Sequence, residues 1–183
     1  MGARMVSKIL AVIMELVTVH ETPSGKHIYA KHIRRLGGDT YLQHTAEVVH
    51  QANQYTDVPL HVTLALMKEE GVFDKNATSD VGAVGHLQLL GKPKKALVKS
   101  CKLDKTHCEF YAVYYGLLVL SQYRGDCGSW ESALGKYRTG ECKIGPKAKK
   151  VIDLSRRIDV ALNRVDSSVP CDVSSLFCSV CGV

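Results

Sequence analysis

Between its glycine and proline breaks the sequence places apolar residues three or four apart, and nowhere does it sustain the two-residue alternation of a half-buried strand. A chain with that rhythm folds by packing helix faces together. Residues 1–22 read as a first helix, stopped by Pro23-Ser24-Gly25, and residues 40–54 as a second after the Gly37-Gly38 break. Asp57 offers an N-cap and Pro59 fits a first turn, so a third helix is expected there, with Leu60, Leu64 and Met67 on one stripe and Gly71 as its stop. Residues 72–85, rich in Asn, Asp, Thr, Ser and Gly, read as loop. Helix resumes over 108–123 and 130–137, and 147–165 is a last basic amphipathic helix. From Asp166 the composition turns to Ser, Cys and Val with Pro170, as in a tail laid over the domain or a neighbour.

With 183 residues, 45% apolar and 23% charged, the chain has the composition of one globular domain, which excludes a disordered tail, a collagen-like fibre and a tandem array. A formal net charge of +6 favours an acidic partner: nucleic acid, anionic lipid or bacterial wall polymer. The lysines at 92, 94, 95, 99, 102 and 105, and the basic residues at 143, 147, 149, 150, 156 and 157, form two clusters. A solvated face is the ordinary reading of such clusters, and wall polymer the next. The apolar run 9–14 falls far short of the ~18 residues of a spanning helix. Lys8 and Glu15 bound it and no small-residue cleavage site follows, so it reads as a core or docking helix rather than a standard signal peptide. Seven cysteines leave at least one thiol free or bonded between chains. Cys178 and Cys181 have zinc-like spacing without a second pair, and the eight histidines show no metal spacing; His107 beside Cys108 is the one pair worth following. Tyr111, Tyr114 and Tyr115 are read as core and cleft-wall residues.

The chemistry centres on Glu70, at the end of a helix against a glycine-rich loop. Unpaired carbonyls and the negative end of the helix dipole disfavour a charged carboxylate there, and a carboxyl kept neutral can act as a general acid. On the residues alone, Glu69 and Glu70 as two solvated side chains is the more ordinary reading. Three stretches change that. Ala65-Leu66-Met67-Lys68-Glu69-Glu70-Gly71-Val72-Phe73, followed by Asn76-Ala77-Thr78-Ser79 and then Gly82-Ala83-Val84-Gly85-His86-Leu87-Gln88, resembles the first two motifs of the soluble lytic transglycosylases. Trp130-Glu131-Ser132-Ala133-Leu134-Gly135-Lys136-Tyr137-Arg138-Thr139-Gly140 resembles their third, Ala-Tyr-Asn-x-Gly. The likeness spans residues 58–157. Gly71 stands where that family usually has Ser, His86 where it has Leu, Leu87 where Met is common and Arg138 where Asn is usual. The changes at Gly71 and Arg138 are expected to remove hydrogen-bonding groups from the cleft.

The resemblance implies a mainly α, lysozyme-like domain over 57–165; it does not cover residues 1–56, read as a helical N-terminal extension, or 166–183, read as a cysteine-containing tail. It implies Glu70 as the catalytic acid/base on peptidoglycan glycan strands, with Gly85, His86, Leu87, Gln88, Tyr137 and Arg138 lining the substrate, and neither metal nor cofactor. Gln88 would donate to the sugar, and Tyr137 would hold Glu70 or the sugar. The size and the Tyr-Arg-Thr-Gly variant look most like bacteriophage wall-opening proteins, placed in the virion or at the host periplasm and wall, with the N-terminal helices and the tail docking on other virion proteins. A hydrolytic lysozyme could use a second carboxylate, for which Asp74, Asp80 and Asp126 are loop candidates and nothing in the sequence selects one. A structural virion protein with this fold, and a basic nucleic-acid binder, are the alternatives, the last the least favoured. A bridge between Cys127 and Cys142 would clamp the loop that carries Tyr137 and Gly140.

Overall fold

The computed structural model describes residues 2–18 and 34–167. Among them run the helices α1 (Gly2–Thr18), α2 (Gly38–Gln54), α3 (Leu60–Glu70), α4 (Gly91–Leu103), α5 (Cys108–Cys127), α6 (Trp130–Thr139) and α7 (Pro146–Ser167). Extended pairing among the described residues is confined to isolated bridges from Val84 to Thr78 and to Leu89. The mainly α expectation holds. The Pro23-Ser24-Gly25 break and the cysteines at 171, 178 and 181 lie outside the described residues.

Helix α3 shows why the chain needs the others. Every residue from Val62 to Lys68 is buried, more than one helix face supplies, so α3 runs through the interior and must be covered on several sides. Helices α2 and α7 pack on it, α1 packs on α2 and α7, and α5 packs on α2, α4 and α6. A continuous apolar core results, reaching from Ile9 and Ile13 in α1 through Val49, Leu64, Leu117 and Leu134 to Ile158 in α7. The apolar faces of the first two helices thus share a core with the stretch that carries the three motifs.

The structure corrects two expectations about elements. Pro59, not Asp57, is the N-cap of α3, in extended backbone with φ −60° and ψ 137°. The Asp57 carboxylate instead accepts the Ser121 hydroxyl of α5, tying the start of α3 to a neighbour. Helix α4 was read from the sequence as no more than a basic cluster. It buries Leu97 alone, so no apolar stripe announces it. Its lysines and alanine favour helix intrinsically, and tertiary ties fix it: Cys101 is bonded to Cys108 at the start of α5, and the Ser100 and Tyr115 hydroxyls lie 2.8 Å apart. The second disulfide is the expected one, Cys127 to Cys142, with Cα atoms 5.4 Å apart.

Candidate active site

Glu70 is the last residue of α3, and the backbone around it is unusually crowded. A Cβ added at Gly71 would lie 2.6 Å from the His86 carbonyl oxygen and 2.8 Å from that of Gly85. Glycine therefore lets the 85–88 loop lie directly on the end of α3, where the family's serine would meet those carbonyls. Val72 and Phe73 then turn with φ of 52° and 57°, and Gln88 has φ of 48°. Positive φ is costly for such residues, above all for β-branched valine, and it persists where the surroundings over-determine it. Here Tyr41 of α2 does so: its hydroxyl donates to the Phe73 carbonyl at 2.6 Å and accepts the Lys75 N–H at 3.1 Å. Burial pushes the Tyr41 phenol well above its usual range, so the hydroxyl stays a donor.

Helix α6 brings the third motif to the same place. Ser129 caps its start by accepting the Ser132 N–H at 3.2 Å, Gly140 ends it in left-handed backbone, and the Cys127–Cys142 bridge spans it. Arg138 Nη1 lies 2.5 Å from Glu70 Oε1, with the two side chains 17% and 15% exposed. The expected loss of a cleft hydrogen-bonding group at position 138 is thus reversed: a guanidinium faces the carboxylate, a positive charge where the helix end supplies a negative one. Tyr137 donates its hydroxyl to the Leu87 carbonyl at 2.6 Å, and its ring meets Tyr123 edge-on at 6.3 Å. Burial, and then the Glu70 charge, push the Tyr137 phenol far up, so it serves as a donor and not as a base.

These three stretches coincide with a known family. The Transglycosylase SLT domain matches residues 47–159. The chain belongs to this family. No curated protein and no solved structure matches the chain. Membership assigns the SLT domain a lysozyme-like helical fold and, at the level of the family, transglycosylase chemistry on peptidoglycan. No helix among the described residues is long and apolar enough to cross a membrane.

Of the residues read from the sequence, the SLT domain gathers Glu70, Gly71, the 85–87 backbone, Tyr137 and Arg138 at one place. It does not bring the His86 and Leu87 side chains to a cleft. His86 is 0% exposed and Leu87 1%, and Leu87 packs on α5 so closely that a Cβ on Gly116 would lie 2.8 Å from its own Cβ. The main chain of this loop lies against Gly71 and takes the Tyr137 hydroxyl, while the His86 and Leu87 side chains are buried. Gln88 turns back on its loop, donating to the Gly85 carbonyl at 3.0 Å and the Ala77 carbonyl at 3.3 Å, and the Gly85 N–H donates to Ala77 at 2.8 Å. Tyr137 spends its proton on Leu87 rather than on Glu70. Among the hydrolase candidates, Asp126 pairs with Lys136 at 2.7 Å and Asp74 accepts the Asn76 N–H at 2.7 Å. Glu69 is held by Lys150 at 2.9 Å, and the neighbouring Lys68 ammonium is pushed down to about 8, chiefly by burial.

Sequence reasoning missed Tyr41 and Glu109, which support the site from α2 and α5. Nothing in their own surroundings marked them; the one signal was His86, a polar residue inside an apolar motif, which needs a buried partner. His107 proves structural, its Nδ1 2.7 Å from Asp104 Oδ2 beside the Cys101–Cys108 bridge. Tyr111, Tyr114 and Tyr115 form a partly buried aromatic cluster with Phe110, which stacks on Tyr114 at 5.6 Å. Among the described residues no group of three His, Cys, Asp or Glu is placed to hold a metal ion.

Proposed function

We propose that this SLT domain is a lytic transglycosylase in which Glu70 acts first as acid and then as base. The observation that carries the reading is the convergence on Glu70 of all three motif stretches: Gly71, the 85–87 main chain, and Tyr137 with Arg138. Glu70 gives its proton to the oxygen linking N-acetylmuramic acid to N-acetylglucosamine as the anomeric C–O bond breaks. The substrate's acetamido oxygen takes up the anomeric carbon, so no protein nucleophile is needed, a known exception to the two-carboxylate scheme. Glu70, now a carboxylate, accepts the proton of the muramoyl 6-hydroxyl, whose oxygen displaces the acetamido group and closes a 1,6-anhydro ring. No water is consumed and Glu70 ends protonated. Arg138, in contact with Glu70 Oε1, fixes where the side chain points, and Tyr137, holding Leu87, keeps the loop in register beside it. Bacteriophage wall penetration or lysis is the setting that the Tyr-Arg-Thr-Gly variant suggests.

The test is mass spectrometry of muropeptides released from purified peptidoglycan by the wild type and by Glu70→Gln. Anhydromuramoyl ends made by the wild type and absent with the variant are expected. Reducing muramoyl ends would make the protein a hydrolase, and no release by folded wild type would leave the fold as a scaffold.

A further inference from the structure

Among the buried polar groups that the reaction does not use is the pair His86–Glu109. His86 is fully buried, with Nε2 2.9 Å from Glu109 Oε1, and its Nδ1 has no hydrogen-bond partner. Glu109, 9% exposed at the side chain, also receives Lys75 Nζ and His44 Nε2, each 3.4 Å from Oε2, and the Thr45 hydroxyl at 3.4 Å from Oε1. Burying an imidazole and a carboxylate costs desolvation that an apolar residue of similar volume avoids, so stability alone does not explain the arrangement. Position does. The His86 carbonyl is the atom closest to an added Cβ at Gly71, the next carbonyl along, Leu87, receives Tyr137, and the next residue is the strained Gln88. One peptide segment therefore carries the contacts that frame Glu70, and the His86 ring ties it to α5. That end of α5 is itself fixed, because Glu109 follows Cys108, which is bonded to Cys101.

We infer that His86 and Glu109 are positioning residues: their buried pair sets the 85–88 loop against the end of α3, so that Glu70 and Tyr137 hold their reactive geometry. The inference rests on the reading of Glu70 as acid/base. Its test combines rates of anhydromuropeptide release with hydrogen exchange at the Gly85, Gln88 and Leu89 amides, which are bonded within the loop region. His86→Leu and Glu109→Leu are each expected to lower the maximal rate about tenfold with half-saturation changed less than about twofold, since orientation rather than binding is lost. His86→Gln, which can still donate to Glu109, should regain most of the rate, and the double Leu variant should be no slower than the worse single one. Loop amides in His86→Leu should exchange about tenfold faster while those of α2 stay protected. A wild-type rate in His86→Leu, losses that multiply in the double variant, or no rescue by His86→Gln would overturn the assignment. If the wild type releases nothing, the reading of Glu70 falls and exchange decides the pair by itself: unchanged loop protection in His86→Leu overturns it, and selective loosening sustains it. Should His86→Leu not fold, Glu109→Leu, which removes the same contact from the other side, carries the same comparison.

Discussion

Glu70 and Arg138 meet with each side chain less than a fifth exposed, so removing one leaves the other partly desolvated and unpartnered. Arg138→Ala is expected to destabilise the fold by about 1–2 kcal/mol, the lower range for a charged hydrogen bond that water can partly replace. The same change in a Glu70→Gln background should cost clearly less, and a urea double-mutant cycle measures the difference. Equal costs in both backgrounds would show that the two groups do not interact. Gly71 makes a steric rather than an electrostatic prediction. Gly71→Ser restores the family's usual residue yet drives a Cβ into two carbonyl oxygens. A loss of about 1–3 kcal/mol is expected, as for other overpacked sites. An unchanged urea midpoint would mean that the 85–88 loop yields freely.

At the scale of elements, α6 carries Tyr137 and Arg138 but is a helix of 10 residues, too short to hold its place alone. The Cys127–Cys142 bridge closes a 15-residue separation around it. A paired Cys127→Ser and Cys142→Ser substitution is expected to destabilise by about 3 kcal/mol on loop-closure entropy, read from urea midpoints with and without reductant. The Cys101–Cys108 bridge, with a separation of 7, closes a shorter loop and its removal should cost less. Its role is local: it joins α4, which buries Leu97 alone, to the end of α5 that presents Glu109.

For the whole molecule, Glu109 links fold to pH. Burial raises a carboxyl, but the His86 hydrogen bond and charge, then Lys75 and His44, outweigh it, and Glu109 is held below the ordinary glutamate value of 4.5. An acid depressed in the folded state contributes its stability in full above the unfolded value and loses it as pH falls through the folded one. The urea midpoint should therefore hold steady from neutral pH down to about 5.5 and decline below about 4.5. Glu109→Gln should show a smaller acid decline than the wild type, and identical slopes would remove Glu109 as a cause.

Local chemistry determined much of this protein. Helix rhythm, glycine stops and the order of three motifs gave the mainly α class, the place of Glu70 at a helix end and the arrival of Tyr137 on a later helix, because each depends on neighbours along the chain. The Cys127–Cys142 pairing was legible because its cysteines flank one short helix. Helix α4 was not, since its order comes from a disulfide and one buried leucine rather than from a stripe. Nor was the fate of the Gly-His-Leu-Gln loop, whose side chains turn inward while its carbonyls face Gly71 and Tyr137. Only the packing of α3, α5 and α6 decided that Arg138 lies on Glu70 and that His86 finds Glu109. Such partners stand 68 and 23 residues apart, and no local preference fixes a pairing that tertiary contacts create.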